Sequence, residues 1–320
     1  WFLVTWNSSN QDGNSTGIYG QRYAANSTAV GGEFRANTYT ASIQGFSSAT
    51  ALSDGGFVVT WSSFLQDGSS YGIYGQRFAA NGAAVGSEFR ANTHTTSEQQ
   101  FSSVTGLSGG GFVVTWESLD QDGDNYGIYG QRYASDGTAI GGEFQVNSYT
   151  TSFQQSPSVA ALSDGGFLVT WSSSFQDGSS SGIYGQRYSA DGTAVGTEFR
   201  ANTYTASHQI FSSVSALPDG GFVVTWTSNG QDGDSYGIYG QRYAADGTAV
   251  GTEYRANQVT AGMQIAQTFY GSETVAALGD GRLVQVWAGQ GAEEVFFRLL
   301  DVPSPPVFTS GSANSVAENA

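Results

Sequence analysis

The hexapeptide Gly17-Ile18-Tyr19-Gly20-Gln21-Arg22 decides the fold of this 320-residue chain, because it occurs five times at a constant spacing. Consecutive copies begin 55 residues apart, at Gly17, Gly72, Gly127, Gly182 and Gly237. A constant period of this kind indicates one supersecondary unit that is stacked on itself. A residue that recurs in every copy can therefore be architectural rather than chemical.

Each repeat predicts four short β-strands, which we call strands a, b, c and d. In the third repeat they cover 101–107, 112–116, 127–133 and 139–147. Strand b reads Phe-Val-Val-Thr-Trp, and β-branched and aromatic residues favour strands. The Asp136-Gly137 turn before strand d has hairpin chemistry, because glycine supplies the positive φ of primed turns. No apolar period of 3.6 residues appears, so no helix is predicted.

Four antiparallel strands repeated at this period are typical of a β-propeller blade. A tryptophan ends strand b in six units, at Trp6, Trp61, Trp116, Trp171, Trp226 and Trp287. We interpret it as packing between blades, and the sixth unit as a degenerate terminal repeat. The sequence thus predicts an all-β protein, with a propeller of six four-stranded blades over residues 1–302. Five and seven blades are the alternatives.

The composition excludes several classes of function. The formal net charge is −16 and lysine is absent, which disfavours binding to nucleic acid or to anionic membrane surfaces. The absence of cysteine removes disulfides, zinc-thiolate sites and thiol nucleophiles. No apolar run approaches the roughly 20 residues of a spanning helix, so membrane insertion is not expected.

The loops divide between the two ends of the predicted blade. The a–b and c–d turns are tight and rich in glycine, whereas the b–c and d–a loops are long and polar. Antiparallel strand order places the b–c and d–a loops at the same end. Because binding residues favour loops held on a rigid scaffold, we expect function at that end.

The b–c loops repeat the tripeptide Gln-Asp-Gly, and two copies carry additional carboxylates. The candidate calcium ligands are Asp120, Asp122, Asp124, Asp232 and Asp234. Alternating carboxylates around a glycine bend suit a hard cation such as calcium. The alternative is an Asx turn, in which the carboxylate caps its own backbone.

The d–a loops combine a ring-bearing position with a glutamine, each recurring 55 residues apart from copy to copy. The candidate ligand-binding residues are Tyr39, His94, Tyr149, Tyr204, Gln44, Gln99, Gln154 and Gln209. Exposed rings beside amides are suited to stacking on a sugar and hydrogen bonding to it. Ordinary polar-loop composition is the alternative.

Two further charged positions recur in strands c and d. The arginines are Arg22, Arg77, Arg132, Arg187 and Arg242, and the glutamates are Glu33, Glu88, Glu143, Glu198 and Glu253. We interpret them as structural ion pairs, either between strands c and d or between blades.

The sequence argues against an enzyme. It contains two histidines, His94 and His208, and no familiar nucleophile, phosphate-binding or metalloprotease motif. Most acids occupy repeated positions, whereas catalysis needs a unique site. Glu98, Glu117 and Asp120 are acids outside the repeat pattern, and a carboxylate-pair glycosidase built on them is the third alternative for function.

The C-terminal segment differs in composition. Pro303-Ser304-Pro305-Pro306 predicts an extended linker. The stretch Ser315-Val316-Ala317-Glu318-Asn319-Ala320 resembles the opening of cadherin-like domains in large bacterial surface proteins. That resemblance implies a second domain beginning within 303–320, with Glu318 as a calcium ligand.

The repeat itself resembles one found in exported bacterial proteins of the RTX-adhesin and cadherin-domain type. The strings that carry the resemblance are Asp-Gly-Gly-Phe-Val-Val-Thr-Trp at 219–226, Tyr-Gly-Ile-Tyr-Gly-Gln-Arg at 236–242 and Gly-Thr-Glu-Phe-Arg-Ala-Asn at 196–202. It implies secretion, a location at the bacterial cell surface, calcium-rich surroundings and neighbouring domains in a longer chain.

The sequence as a whole predicts an extracellular binding or adhesion module with calcium-stabilised loops, and not an enzyme. The expected partner is a glycan or a surface protein. A structural spacer or filament-forming repeat without a soluble ligand is the second alternative.

Overall fold

A computed structural model describes residues 1–266, 274–278, 280, 282–289 and 295–301. The described residues form 22 β-strands in six antiparallel sheets, and they contain no helix. The linker and cadherin-like start predicted for 303–320, including Glu318, lie outside the described residues. The chain divides into two compact units, Trp1–Thr150 and Thr151–Ala320.

The first unit contains three sheets, which we call blades 1 to 3. Blade 1 comprises β1 (Phe2–Ser9), β2 (Thr16–Tyr23) and β3 (Ala29–Arg35). Blade 2 comprises β4 (Gln44–Ala51), β5 (Phe57–Phe64), β6 (Tyr71–Phe78) and β7 (Ala84–Arg90). Blade 3 comprises β8 (Gln99–Gly106), β9 (Phe112–Leu119), β10 (Tyr126–Tyr133) and β11 (Ala139–Gln145).

The second unit contains blades 4 to 6. Blade 4 comprises β12 (Gln154–Ala161), β13 (Phe167–Ser174), β14 (Ser181–Tyr188) and β15 (Ala194–Arg200). Blade 5 comprises β16 (Gln209–Ala216), β17 (Phe222–Asn229), β18 (Tyr236–Tyr243) and β19 (Ala249–Arg255). Blade 6 comprises β20 (Val275–Ala277), β21 (Leu283–Ala288) and β22 (Val295–Leu300).

The prediction of an all-β, six-bladed β-propeller is confirmed. Four sheets have the four strands a to d in sequence order. Among the described residues, blade 1 has no strand a and blade 6 has no strand d, so these two sheets have three strands. Within each unit the a strands of neighbouring blades contact each other, as β4 does β8 and β12 does β16, while the d strands are largely exposed.

The tryptophan of strand b packs between blades, as predicted. Trp116 and Trp226 are fully buried, and Trp116 belongs to one cluster with Val58 and Ile73 of blade 2. Trp226 packs likewise with Leu168 of blade 4. Burial of such a ring removes about 150–250 Å² from water, which contributes roughly 4–6 kcal/mol as an upper bound.

The glycines of the repeated hexapeptide have steric causes. A Cβ on Gly75 would lie 2.6 Å from the ring of Phe89, because this strand d side chain packs directly over strand c. A Cβ on Gly72 would lie 2.6 Å from Oδ2 of Asp67 in the b–c loop. Real side chains do not approach so closely, so both positions require glycine while their neighbours stay in place.

The predicted pairing of the repeated arginines with the repeated glutamates is wrong at Arg77 and Arg187. These arginines form ion pairs of 3.3 Å with Asp54 and Asp164, which lie in the a–b turns of the same blades. The strand d glutamate does link blades, but through hydroxyl and amide groups. Oε2 of Glu88 accepts hydrogen bonds from the backbone N–H and the hydroxyl of Thr38.

Candidate active site

The b–c and d–a loops lie at the same end of each blade, as strand order predicts. The residue before strand a accepts a backbone hydrogen bond from the end of strand b, as in Phe64 N to Ile43 O and Leu119 N to Glu98 O, both 2.8 Å. These contacts bring the d–a loop against the b–c loop in every complete blade. We refer to this as the long-loop end.

The four candidate glutamines of the d–a loops are structural, which corrects their predicted role. Gln44, Gln99, Gln154 and Gln209 are all fully buried. Gln99 donates a 2.9 Å hydrogen bond to the carbonyl of Thr96 and accepts one of 3.2 Å from Asn92. Because the side chain is enclosed and occupied, it braces the loop and does not contact a ligand from solvent.

The candidate ring residues of the d–a loops, Tyr39, His94, Tyr149 and Tyr204, are all half-buried. Their backbone carbonyls accept hydrogen bonds from the asparagines that follow strand d, such as Asn37 to Tyr39 at 2.8 Å and Asn92 to His94 at 2.7 Å. The backbone is therefore fixed while part of each ring reaches solvent. Ligand contact by these four rings stays a prediction.

The aspartates of the Gln-Asp-Gly loops form Asx turns. Oδ1 of Asp67 accepts from the backbone N–H of Ser69 at 3.2 Å, and Asp177 does the same with Ser179 at 3.0 Å. Burial is the main reason that the pKa of Asp122 is raised. The carboxylate in this loop therefore has a structural role independent of any cation.

The calcium prediction stays a prediction. Among the residues that the structure describes, no three His, Asp or Glu side chains converge in an arrangement that could hold a metal ion. Asp124 accepts a hydrogen bond from Asn125, and Asp234 accepts one of 2.9 Å from the backbone of Gly262. A titration of melting temperature with calcium tests it: an increase supports Asp120, Asp122, Asp124, Asp232 and Asp234 as ligands.

Blade 3 differs chemically from the other blades at its long-loop end. Glu98 corresponds by the 55-residue period to Ile43, Phe153 and His208. Glu117 corresponds to Ser62, Ser172 and Thr227, and Asp120 to Leu65, Phe175 and Gly230. Three of the acids that lie outside the repeat pattern thus meet at one end of one blade.

Strand register brings two of these acids onto one face of blade 3. Gln100 pairs with Glu117 across strands a and b, and Tyr126 pairs with Leu119 across strands c and b. Because side chains alternate along a strand, Glu98, Gln100, Glu117 and Tyr126 share a face. We call these four residues the acid cluster.

Hydrogen bonds connect the whole acid cluster. The hydroxyl of Tyr126 donates to Oε2 of Glu98 at 2.6 Å. Nε2 of Gln100 donates to Oε1 of Glu117 at 3.1 Å and lies 3.4 Å from the Tyr126 hydroxyl. This chain of contacts places one oxygen of Glu98 within about 9 Å of one oxygen of Glu117, inside the range of paired glycosidase carboxylates.

The pKa of Tyr126 is raised well above its ordinary value. Burial is the main cause, followed by the hydrogen bond to Glu98 and the charges of Glu98, Glu117 and Asp120. All three carboxylates therefore act on one phenol. Tyr126 keeps its proton at physiological pH and acts as a hydrogen-bond donor to Glu98.

The three acids differ in their access to solvent. Glu117 is fully buried, Glu98 is half-buried and Asp120 is exposed. At the position of Glu117, Ser62 and Ser172 accept hydrogen bonds from the backbone N–H of Phe101 and Phe211 in the following blade. The fold thus provides for a short hydroxyl there, and blade 3 replaces it with a carboxylate.

Sequence reasoning found the three acids and missed Gln100 and Tyr126. Tyr126 recurs as Tyr71 and Tyr236, and Gln100 recurs as Gln155, so both look architectural in the repeat. The signal that identifies them is their register opposite the non-repeated acids, which requires the strand pairing.

No known family model matches the chain, and no curated protein matches it. Solved structures with a similar fold include a mutant of the α-L-arabinofuranosidase Arb93A from Fusarium graminearum in complex with an iminosugar inhibitor. It is 13% identical, with a TM-score of 0.55 over 81% of each chain. The α-L-arabinanase from Penicillium chrysogenum complexed with arabinobiose is 12% identical, with a TM-score of 0.52 over 80% of this chain and 77% of that chain. A protein of unknown function from Dyadobacter fermentans is 11% identical, with a TM-score of 0.53 over 82% of each chain.

These similarities correct two predictions. The sequence analysis predicts a binding or adhesion module, with a spacer as the alternative, and it predicts no enzymatic activity. The solved structures that share the fold include glycoside hydrolases, so both the adhesion and the non-enzyme predictions are wrong. The argument from repetition failed because one repeat, blade 3, carries acids that the others lack.

No helix among the described residues has the length and apolar character needed to cross a membrane.

Proposed function

We propose that this protein is a glycoside hydrolase whose active site is the long-loop end of blade 3. The observation that carries the proposal is the hydrogen bond from Tyr126 to Glu98 within a cluster of acids found in one repeat only. Hydrolysis of a glycosidic bond needs two carboxyl groups on opposite sides of that bond. The fold shared with an arabinofuranosidase and an arabinanase supports the same conclusion.

Glu98 and Asp120 are the two acids that solvent can reach, so we assign them to contact with substrate. Glu98 accepts the hydrogen bond of Tyr126, and as an acceptor it takes the role of base or nucleophile. Asp120 then donates the proton to the leaving oxygen. Glu117 is enclosed, and it acts as a positioning residue by holding Gln100 beside Tyr126.

The substrate class follows from charge and from the structural similarities. A net charge of −16 disfavours acidic polysaccharides, which leaves neutral glycans. Because the two named proteins of the same fold are an α-L-arabinofuranosidase and an arabinanase that binds arabinobiose, arabinan and arabino-oligosaccharides come first in a substrate panel. Xylan, galactan and cellulose oligosaccharides complete it.

The chain supplies its own design for the test. The substitutions E98I, Q100G, E117S and D120L replace the residues of blade 3 with those at the same positions of blade 2. Since blade 2 folds with this set, the combined variant should keep its melting temperature and lose all hydrolysis. E98Q and D120N should each reduce kcat/KM by roughly a thousandfold, as expected for groups that act on the reacting bond.

Asp136→Asn is the matched control, because Asp136 is an exposed acid in the c–d turn at the other end of blade 3. It should retain wild-type activity. Wild-type protein that releases no sugar from any member of the panel, or an E98Q variant as active as wild type, would overturn the proposal.

A further inference from the structure

Strand a of each complete blade contains a bulge at which the backbone adopts an uncommon conformation. The pairing of strands a and b shifts register there, for example between Gly45 and Ser48. The bulge residues have positive φ: Phe46 (58°), Phe101 (54°), Ser156 (56°) and Phe211 (58°). A bulky side chain is rare in this left-handed region, and the conformation is strained.

The fold requires the bulge but does not require an aromatic side chain in it. Ser156 occupies the same position in blade 4 with nearly the same φ. The bulge N–H is satisfied by the preceding blade, as Phe101 N donates to Ser62 Oγ at 3.2 Å. Because the backbone is fixed by these contacts, phenylalanine adds strain without a gain in backbone hydrogen bonding, which points to a role for its ring.

The rings of blades 2 and 3 form a connected group beside the acid cluster. Phe46 and Phe101 contact each other with centroids 4.6 Å apart, and Phe46 lies 6.2 Å from the ring of Tyr71. All three side chains are half-buried, so part of each ring reaches solvent. The charge of Glu98 contributes, after burial, to a raised pKa of Tyr71, which places the Tyr71 phenol close to Glu98.

We infer that Phe46, Phe101 and Tyr71 form an aromatic platform for the sugar residue that adjoins the bond held at Glu98. The inference rests on the proposed function and specifies how its substrate is positioned. Sugar rings present apolar C–H faces that pack on aromatic rings, while their hydroxyl groups bond to polar side chains nearby. Holding the adjoining sugar rigidly fixes the scissile bond against the carboxylates.

The same geometry defines the class of ligand. Hydroxyl groups on a sugar packed against the platform lie next to Glu98 and Tyr71, which accept and donate hydrogen bonds. An anionic sugar would meet the charge of Glu98 and the net charge of −16. The platform therefore selects neutral oligosaccharides of at least two residues over monosaccharides and over uronic-acid oligomers.

The test replaces each phenylalanine with the residue that blade 4 uses. Phe46→Ser and Phe101→Ser preserve the bulge, as Ser156 demonstrates. Phe211→Ser is the matched control, because Phe211 has a similar φ but belongs to blade 5, which lacks the acids of blade 3. Affinity for arabinotriose and xylotriose is measured by calorimetry at low temperature, where hydrolysis is slow, and KM and kcat are measured separately.

Phe46→Ser and Phe101→Ser should each weaken binding of the better trisaccharide by about tenfold and raise KM more than they lower kcat. Phe211→Ser should bind as wild type does. Equal losses in all three variants, or no loss in the first two, overturn the platform. Wild-type protein that binds neither trisaccharide also overturns it, whereas binding without hydrolysis overturns the hydrolase proposal alone.

Discussion

Tyr126 donates a 2.6 Å hydrogen bond to Glu98 and thereby joins the start of strand c to the residue before strand a, across the end of strand b. In blade 4 the same two positions hold Ser181 and Phe153, which cannot make this contact. The bond makes one of several near-identical blades chemically distinct. It is the basis of the first prediction.

Tyr126→Phe should lower kcat/KM by roughly 10- to 100-fold, because a hydrogen bond to a charged group contributes about 1.5–3 kcal/mol. The ring remains, so the melting temperature should change little. The measurement is steady-state hydrolysis of the best substrate together with thermal unfolding. Tyr236→Phe, at the same position of blade 5, is the control and should leave kcat/KM unchanged; a similar loss there would point to a general structural effect.

The buried strand c tyrosines predict an alkaline unfolding transition. Burial is the main cause that raises the pKa of Tyr133, Tyr188 and Tyr243, and the charges of Glu143, Glu198 and Glu253 add to it. Their stabilising contribution is complete below the unfolded pKa of about 10 and is lost as pH rises above it towards the folded values. Stability should therefore fall with pH above about 10.

Circular dichroism and phenolate absorbance followed together test this prediction. The buried phenols should ionise in the same transition in which the sheets unfold. Ionisation of these three tyrosines in protein that keeps its native circular dichroism would contradict it.

Gly130→Ala should destabilise the protein by about 1–3 kcal/mol, the usual result of forcing extra volume into a packed site. Its Cβ would lie 2.8 Å from the ring of Phe144, which packs over strand c. Denaturant unfolding measures the change. Gly142→Ala in the same blade is the control, since no atom lies within 4 Å of its Cβ. Equal stability of the two variants would show that the ring does not require glycine.

Gln209→Ala should lower the free energy of unfolding by about 1–3 kcal/mol, because buried polar partners lose their hydrogen bonds. Gln209 donates to Ala206 O at 2.8 Å and accepts from Asn202 at 3.2 Å, while Asn202 caps the N–H of Ile183. Denaturant unfolding again measures the change, and catalysis should be unaffected, since blade 5 lacks the acids of blade 3. Tyr204→Phe should be neutral in stability; a Gln209→Ala variant that is fully stable but loses sugar binding would restore the ligand role first expected for this residue.

The fold could be predicted from the sequence because its determinants are local and repeated. Strand b is recognised from Phe-Val-Val-Thr-Trp and the turns from their glycines, and the period of 55 residues repeats each weak signal along the chain. The common location of the b–c and d–a loops also follows from antiparallel order alone. These features depend on alternation and turn chemistry within a few residues.

The roles of polar side chains could not be predicted in the same way. The repeated arginines bind aspartates of the a–b turns, as Arg77 does Asp54, although the sequence offered Glu88 as an equally suitable partner. Gln99 looks like a surface ligand in a polar loop and is fully buried. The choice among equivalent donors and acceptors is made by distances between segments that are far apart in the chain.

The sequence by itself therefore determined the blade, its number of copies and the three acids that break the repeat. Only the tertiary structure decided that Glu98 and Glu117 share a face with Gln100 and Tyr126, and that the strained rings of Phe46 and Phe101 adjoin them. The physical reason is strand register: a shift of one residue between strands a and b would turn these side chains to the opposite face, and that register is fixed by backbone hydrogen bonds between distant segments.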